Sequence, residues 1–361
     1  MSRPLIDRSR RTTGVRIAFA LMALIACGKG SAQSYLENVI VETYYISNAN
    51  DATDTIGGTL VAGSHTYRVF LDLDTGCALR AVYGDVNHPL VISSTAPFFS
   101  NVDRGKTYAH QMNNSAVEGE NTVALDSWLS LGAATNQKFG VLKAEDPDGV
   151  SLIGGAQNDG GSASIPGGLL VNTDPGAGIP ITVQDGLMFG SGSIVPPSFA
   201  VLGISPDSVF SDSTGYSNFI SNDTRVGCST PGVKGPTADN KILIAQFTTA
   251  GELTFCLNIE VELTDGTVIS YVSSDSILLA GETANGLLCY PPMCGCTDPD
   301  FLEYDPSAGC DDGSCATTIV FGCLDTLACN FDPAANFNVL ELCCYGATDC
   351  NGLDVSIVCP D

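Results

Sequence analysis

Three histidines, 40 acidic residues and 15 cysteines are the side chains of this 361-residue chain from which a reactive or ligand-binding site could be built. A serine hydrolase needs a G-x-S-x-G elbow with a histidine beside it. The run Gly190-Ser191-Gly192-Ser193 lacks that pattern and reads as a turn. His65, His88 and His110 are too widely spaced for a zinc-protease helix or a histidine cluster. A glycosidase needs only two carboxylates, and this chain offers many pairs without singling one out. Calcium suits the acidic pattern better, because hard oxygen ligands bind it. Asp298, Asp305, Asp311 and Asp312 fall within fifteen residues and are the candidate ligands. Asp72-Leu73-Asp74 and Asp146-Pro147-Asp148-Gly149 are only fragments of an EF-hand loop, and turn-forming aspartates account for the same residues without metal. Trp128, Phe98, Phe99 and Tyr108 are candidates for stacking on a sugar ring. The competing expectation is that Trp128 anchors the core of an alternating strand.

The cysteines divide the chain. Eleven of them lie between Cys289 and Cys359, a density that marks a disulfide scaffold. Zinc is the rival, but this tail contains no C-x-x-C and no histidine. Disulfides are therefore expected among Cys77, Cys228, Cys256, Cys289, Cys294, Cys296, Cys310, Cys315, Cys323, Cys329, Cys343, Cys344, Cys350 and Cys359, with the pairing open. Only three of these precede the tail. One of Cys77, Cys228 and Cys256 is thus expected to pair with a tail cysteine such as Cys289, or to stay free.

The tail also repeats itself. Gly295-Cys296-Thr297-Asp298 recurs as Gly322-Cys323-Leu324-Asp325, and Tyr304-Asp305-Pro306-Ser307-Ala308 as Phe331-Asp332-Pro333-Ala334-Ala335, both at an offset of 27. Each unit is too small for its own core, so disulfides must substitute for burial. The first unit, through Asp311-Asp312-Gly313-Ser314-Cys315, resembles the short repeat GCTDxxAxNYDPxAxxDDGSC. That repeat is found, often in tandem, near the C-termini of secreted, surface-associated proteins of marine Bacteroidetes. The second unit keeps the first half, with Cys329 and Asn330, and loses the acidic ending. The stretches TYRVFLDL, AVYGD, LVISSTAPFF, LDSWLSLG and KILIAQFTTAGELTF look like the large β domain of flavobacterial proteins with such tails. The resemblance implies a secreted address and a spacer or stalk, and brings no activity. Such proteins often end in a type IX secretion sorting domain; none precedes Pro360-Asp361, which implies a truncated sequence or another export route.

Residues 1–32 carry a basic start (Arg3, Arg8, Arg10, Arg11, Arg16) and an apolar run from Ile17 to Ala26, the pattern of a signal peptide cleaved after Ala32. The alternative is a lipoprotein acylated on Cys27, since Leu24-Ile25-Ala26-Cys27 resembles a lipobox. Without residues 1–32 the net charge is about −30. That charge excludes a nucleic-acid binder, and no later apolar run is long enough to span a membrane.

Residues 33–285 read as an all-β domain, a β-sandwich or jelly roll, with a disulfide-rich region of tandem repeats (about 294–315 and 322–345) over 286–361. Val39–Ile46 and Thr66–Leu73 are strand-like. Leu253, Phe255, Leu257, Ile259 and Val261 alternate with polar residues, which predicts one long strand in a three-strand meander from Lys241 to Val272. The Gly- and Pro-rich residues 145–240 predict long loops and a binding surface. The function expected is a non-enzymatic, secreted or cell-surface binding or adhesion protein, its partner an extracellular glycan or surface protein. The alternatives are a matrix component without specific ligand and a carboxylate-based glycan-degrading enzyme.

Overall fold

The computed structural model describes residues 34–53, 55–119, 122–147, 184–189, 194–211, 215–274, 276–305, 308–328 and 330–344. The leader with Cys27, the Gly190–Ser193 run, Cys329, Cys350, Cys359 and residues 148–183 lie outside them. No described helix is long and apolar enough to cross a membrane.

The described residues are all-β with two short α-helices. In order they form β1 (Leu36–Ile46), β2 (His65–Leu73), β3 (Ala78–Tyr83), β4 (Leu90–Ser94), α1 (Asn114–Gly119), β5 (Trp128–Leu129), β6 (Lys138–Gly140), β7 (Leu187–Phe189), β8 (Ala200–Leu202), α2 (Asp207–Phe210), β9 (Asn218–Ser221) and β10 (Arg225–Gly227). Then come β11 (Lys241–Thr249), β12 (Leu253–Cys256), β13 (Asn258–Glu262), β14 (Val268–Val272), β15 (Glu282–Ala284) and β16 (Cys289–Tyr290). Among the described residues they form three larger sheets, ordered β1-β2-β11-β5, β15-β14-β13-β3-β10-β8 and β16-β12-β4-β9, and a two-stranded sheet of β6 and β7. Only β14 and β15 pair in parallel within them.

The first sheet is covered on both faces. Val69, Leu71, Ile242 and Phe247 enter the main core with Ile92 and Phe255 of the third sheet and Ile259 and Val261 of the second. On the other face Phe70 and Leu243 join Tyr44, Trp128 and Leu187 in a second core. A bulge in the β11–β2 pairing between Leu243 and Ala245 puts the neighbours Ile244 and Ala245 in the main core together. Double burial explains why β11 shows no polar alternation.

The expected meander is corrected here. Both edges of β11 are taken, by β2 and β5, so β12 cannot pair with it. The alternating run 253–261 breaks at Leu257. Its first half pairs with β4 and β16, and its second half with β3 and β14. Only the β13–β14 hairpin remains, closed by Asp265-Gly266 with Gly266 at φ 84°. Just past residue 285, β16 is a strand of the third sheet, held to β12 by the Cys256–Cys289 disulfide.

Asp126, just before β5, is wholly buried. Its Oδ1 accepts from Asn101 N–H at 2.7 Å and its Oδ2 from Lys106 N–H at 2.8 Å, which wraps the 101–106 loop around one carboxyl. Burial pushes this carboxyl up to about 8, against the pull of those N–H donors. The native state then keeps a proton that the unfolded chain has lost. The Asp126 contribution to stability is expected to fall as pH rises from about 4 to about 8. Denaturant unfolding across this range, beside the Asp126→Asn variant, checks it: the slope should be clearly shallower in the variant, and parallel profiles contradict it.

Candidate functional site

Four chain reversals meet at one end of the sandwich. Beyond β1, residues 47–64 are anchored by Asp51, whose Oδ2 accepts from Tyr45 Oη–H at 2.9 Å and Asn48 N–H at 2.7 Å. Burial, reinforced by the Asp51 charge, pushes the Tyr45 hydroxyl far up, so it stays a donor. Residues after β4 are fixed by Phe98 N–H donating to Tyr216 O at 2.8 Å and Phe99 N–H to Thr248 O at 2.7 Å. The 250–252 turn packs so closely on Ser94–Ala96 that a Cβ at Gly251 would stand 2.3 Å from Ala96 N.

Between these segments lies a cleft of about 340 Å³. Thr59, Leu60, Val61 and Ser64 form one side, Ala96–Phe99 the floor, and Gly215, Thr249 and Ala250 the other side. Its size is that of a small-ligand site. Two of the hydroxyls in its lining are already engaged: Ser64 Oγ donates to Val61 O, and Thr249 Oγ1 pairs with Ser94 Oγ at 2.7 Å. None of the described residues lining it is titratable. Its described lining offers apolar contact, hydroxyls and backbone polar groups, and no acid–base pair among the described residues. By contrast, a void of about 20 Å³ between Val69, Ile92, Leu129 and Ile244 is an apolar packing gap at the scale of one water.

The structure corrects the sugar-stacking expectation. Trp128 is 2% exposed and belongs to the second core; Phe98, Phe99 and Tyr108 are buried as well. Phe98 and Phe99 do meet at the cleft floor. Phe98 packs against Phe210 and Phe247, and Tyr108 against Phe199 and His110. Little of any of these four side chains is exposed. The histidines stay apart. His65 stacks on Tyr67, and His88 Nε2 lies 3.3 Å from Glu282 Oε2. His110 packs edge-on to Phe199, where burial lowers its pKa.

The cleft residues Thr59–Val61 and Ala96–Pro97 were missed in the sequence reading. Their only signal is that turn-type segments follow β1 and β4, and topology alone brings those strand ends together.

In the tail, Cys294–Cys310, Cys296–Cys315 and Cys323–Cys343 are bonded, and Cys344 is disulfide-bonded too. Cys77 and Cys228 are corrected from disulfide to free, buried thiols, and burial raises the pKa of both. Three of the four aspartates proposed for calcium are seen making turns. Asp298, Asp311 and Asp312 Oδ1 accept from Asp300, Gly313 and Ser314 N–H at 2.9–3.0 Å. Asp305 sits under Gly295, its N–H donating to Cys296 O. Among the described residues no three His, Cys, Asp or Glu side chains converge on a metal-sized site.

The two repeats share one backbone plan. Asp332 N–H donates to Cys323 O as Asp305 does to Cys296 O, and a Cβ at Gly295 or Gly322 would press on Ala308 or Ala335. In repeat 1, β17 (Cys294–Gly295) and β18 (Cys310–Asp311) pair Cys294 with Cys310. In repeat 2, β19 (Phe321–Gly322) and β20 (Phe337–Asn338) pair Phe321 with Phe337, ring centres 5.3 Å apart. An aromatic pair thus stands where repeat 1 has a cystine. The double change Phe321→Cys with Phe337→Cys is therefore expected to form a disulfide on air oxidation. Thiol alkylation and mass analysis check this, and two free thiols in folded protein contradict it.

No family model matches the chain, and no curated protein and no solved structure is detectably similar to it.

Proposed function

We propose that this is a secreted or cell-surface, non-enzymatic binding protein, in which the β-sandwich presents the loop-end cleft and the disulfide-stapled repeats serve as its stalk. The observation that carries the reading is the cleft itself: ligand-sized, built from four strand ends, and lined by neutral side chains. A neutral partner such as an extracellular glycan, or an uncharged stretch of a surface protein, fits that lining. An anionic one is disfavoured by the strongly acidic chain. The leader-like residues 1–32 and the cystine-rich tail support an oxidising, extracytoplasmic address. Incubating the folded protein with a panel of insoluble polysaccharides tests the reading. Retention without soluble sugar is expected, and released sugar supports the enzyme alternative instead.

A further inference from the structure

An amine, an amide and a carboxyl meet between α1 and β6, away from any role given above. Asn114 and Glu118 are one helical turn apart, so they share a face of α1. Asn114 Nδ2 donates to Glu118 Oε1 at 2.5 Å, and Lys138 Nζ lies 4.0 Å from that same oxygen. Lys138 is fully buried and Asn114 nearly so. Thr135 supplies the frame: its Oγ1 donates to Asn114 Oδ1 at 3.0 Å and accepts from Lys138 N–H at 3.0 Å. The Asn114 backbone is fixed too, its N–H donating to Asn136 Oδ1 at 3.0 Å. The Phe189 ring covers Lys138 Nζ, and Ala116, Val117, Ala133 and Ala134 belong to the adjoining core.

Each part has a chemical consequence. Exclusion of water disfavours the ammonium form of a lysine and so favours the nucleophilic amine. A hydroxyl donating to an amide oxygen makes the amide carbon more electrophilic and stabilises the oxyanion formed on attack. A carboxyl within reach of both nitrogens can take a proton from one and give it to the other. A surface ion pair would need none of this enclosure.

We infer that the folded protein forms an isopeptide bond between Lys138 Nζ and Asn114 Cγ, with Glu118 as the proton carrier. Nζ gives a proton to Glu118 and its electron pair forms the new N–C bond. The Cγ–Nδ2 bond breaks, Nδ2 takes the proton from Glu118, and one ammonia leaves. Amide replaces amide, so no oxidant or reductant is needed. The product closes the chain from residue 114 to residue 138 covalently, and reduction cannot reopen it. This stands independently of the binding reading.

Mass spectrometry of the purified, folded chain after full reduction and digestion decides it. The expected result is a branched peptide joining the segments that contain Asn114 and Lys138, and an intact mass lower by one ammonia. Cyclisation of an N-terminal Gln33 releases ammonia as well, so the branched peptide is the deciding signal. Glu118→Gln, close in shape to the native residue, should leave both peptides linear, as should Lys138→Met. Chain recovered unfolded from inclusion bodies should be linear in urea and gain the branch only as structure returns on dilution. Linear peptides carrying unmodified Asn114 and Lys138 in cooperatively folded wild-type protein would overturn the proposal, whatever the variants do. A Glu118→Gln chain that is branched as fully as wild type would overturn the role of Glu118.

Discussion

Replacing Cys296 and Cys315 together with serine is expected to unfold repeat 1 while the β-sandwich stays intact. This disulfide closes a loop of sequence separation 19, and restricting such a loop in the unfolded chain is worth about 3 kcal/mol. Beyond the Cys294–Cys310 bond at its edge, the repeat has little else. Cys296 is its one deeply buried described side chain, Leu302 and Tyr304 are exposed, and the strand pairs are two residues long. A unit with so small an apolar interior cannot offset the entropy of ordering its turns. Hydrogen exchange should show the 296–315 amides losing protection while β2 and β11 keep theirs. Retained protection in the tail would mean that the Cys294–Cys310 bond and turn chemistry suffice without the Cys296–Cys315 staple.

The second large effect is expected at Arg68, which lies in the middle of β2 and is only 2% exposed. Its Nε donates to Gln246 Oε1 at 2.9 Å, its Nη1 donates to Gly186 O at 3.0 Å, and its guanidinium lies 3.5 Å from the centre of the Tyr44 ring. Gln246 in turn donates to Ala124 O and Asp126 O. The Tyr44 hydroxyl donates to Asp185 O, and Asp146 Oδ2 accepts from Gly186 N–H. Lys143 Nζ donates to Thr43 O and Tyr44 O. Its pKa is lowered to about 8 by burial, while that of Glu42 is raised for the same reason. This network ties β1 and β2 to residues 146 and 185, on either side of the 148–183 stretch. Arg68→Ala strips a hydrogen-bonded charge from a dry site and leaves its partners unpaired. A loss of about 3–5 kcal/mol is expected by denaturant unfolding. A loss below about 1 kcal/mol would mean that water replaces the guanidinium.

Arg68 also shows where the sequence stops being informative. The chain's strand content, its division at the cysteines and its tandem repeat are legible because each rests on local patterns: alternation, turn dipeptides and recurrence at a fixed offset. The burial of Arg68, Lys138 and Asp126 is not local. An arginine in a strand ordinarily marks a wet face, and here a second layer of chain covers that face. The break at Leu257 is invisible for a related reason. An alternating run has the same pattern whether it stays in one sheet or crosses to another, and the choice is made by which strand edges are vacant. Aromatic residues mislead in the opposite direction. Phe98, Phe99, Tyr108 and Trp128 sit near polar residues in sequence, but several of these, such as Ser100, Thr107 and Ser127, are themselves buried, and Ser127 is hydrogen-bonded to Thr248. The cleft was not legible either, since its walls come from segments joined only by topology.

The repeats show the physical logic of substitution. Position 294 pairs with 310 as cystine, and position 321 with 337 as phenylalanines in edge-to-face contact, on the same parallel pairing. A covalent staple and an aromatic contact are alternative ways to hold two short strands together, and the aromatic one is worth about 0.5–1.5 kcal/mol beyond its buried area.

The most direct test of the account is polysaccharide retention by wild-type protein compared with an Ala250→Trp variant. Ala250 lines the cleft and is exposed, so the larger side chain fills the opening without entering the core. The account predicts that wild type is retained on at least one neutral polysaccharide and releases no sugar. It predicts that Ala250→Trp, with unchanged unfolding, loses at least tenfold in affinity, about 1.4 kcal/mol. Equal retention of the two proteins, or sugar released by either, would contradict a binding function seated in this cleft.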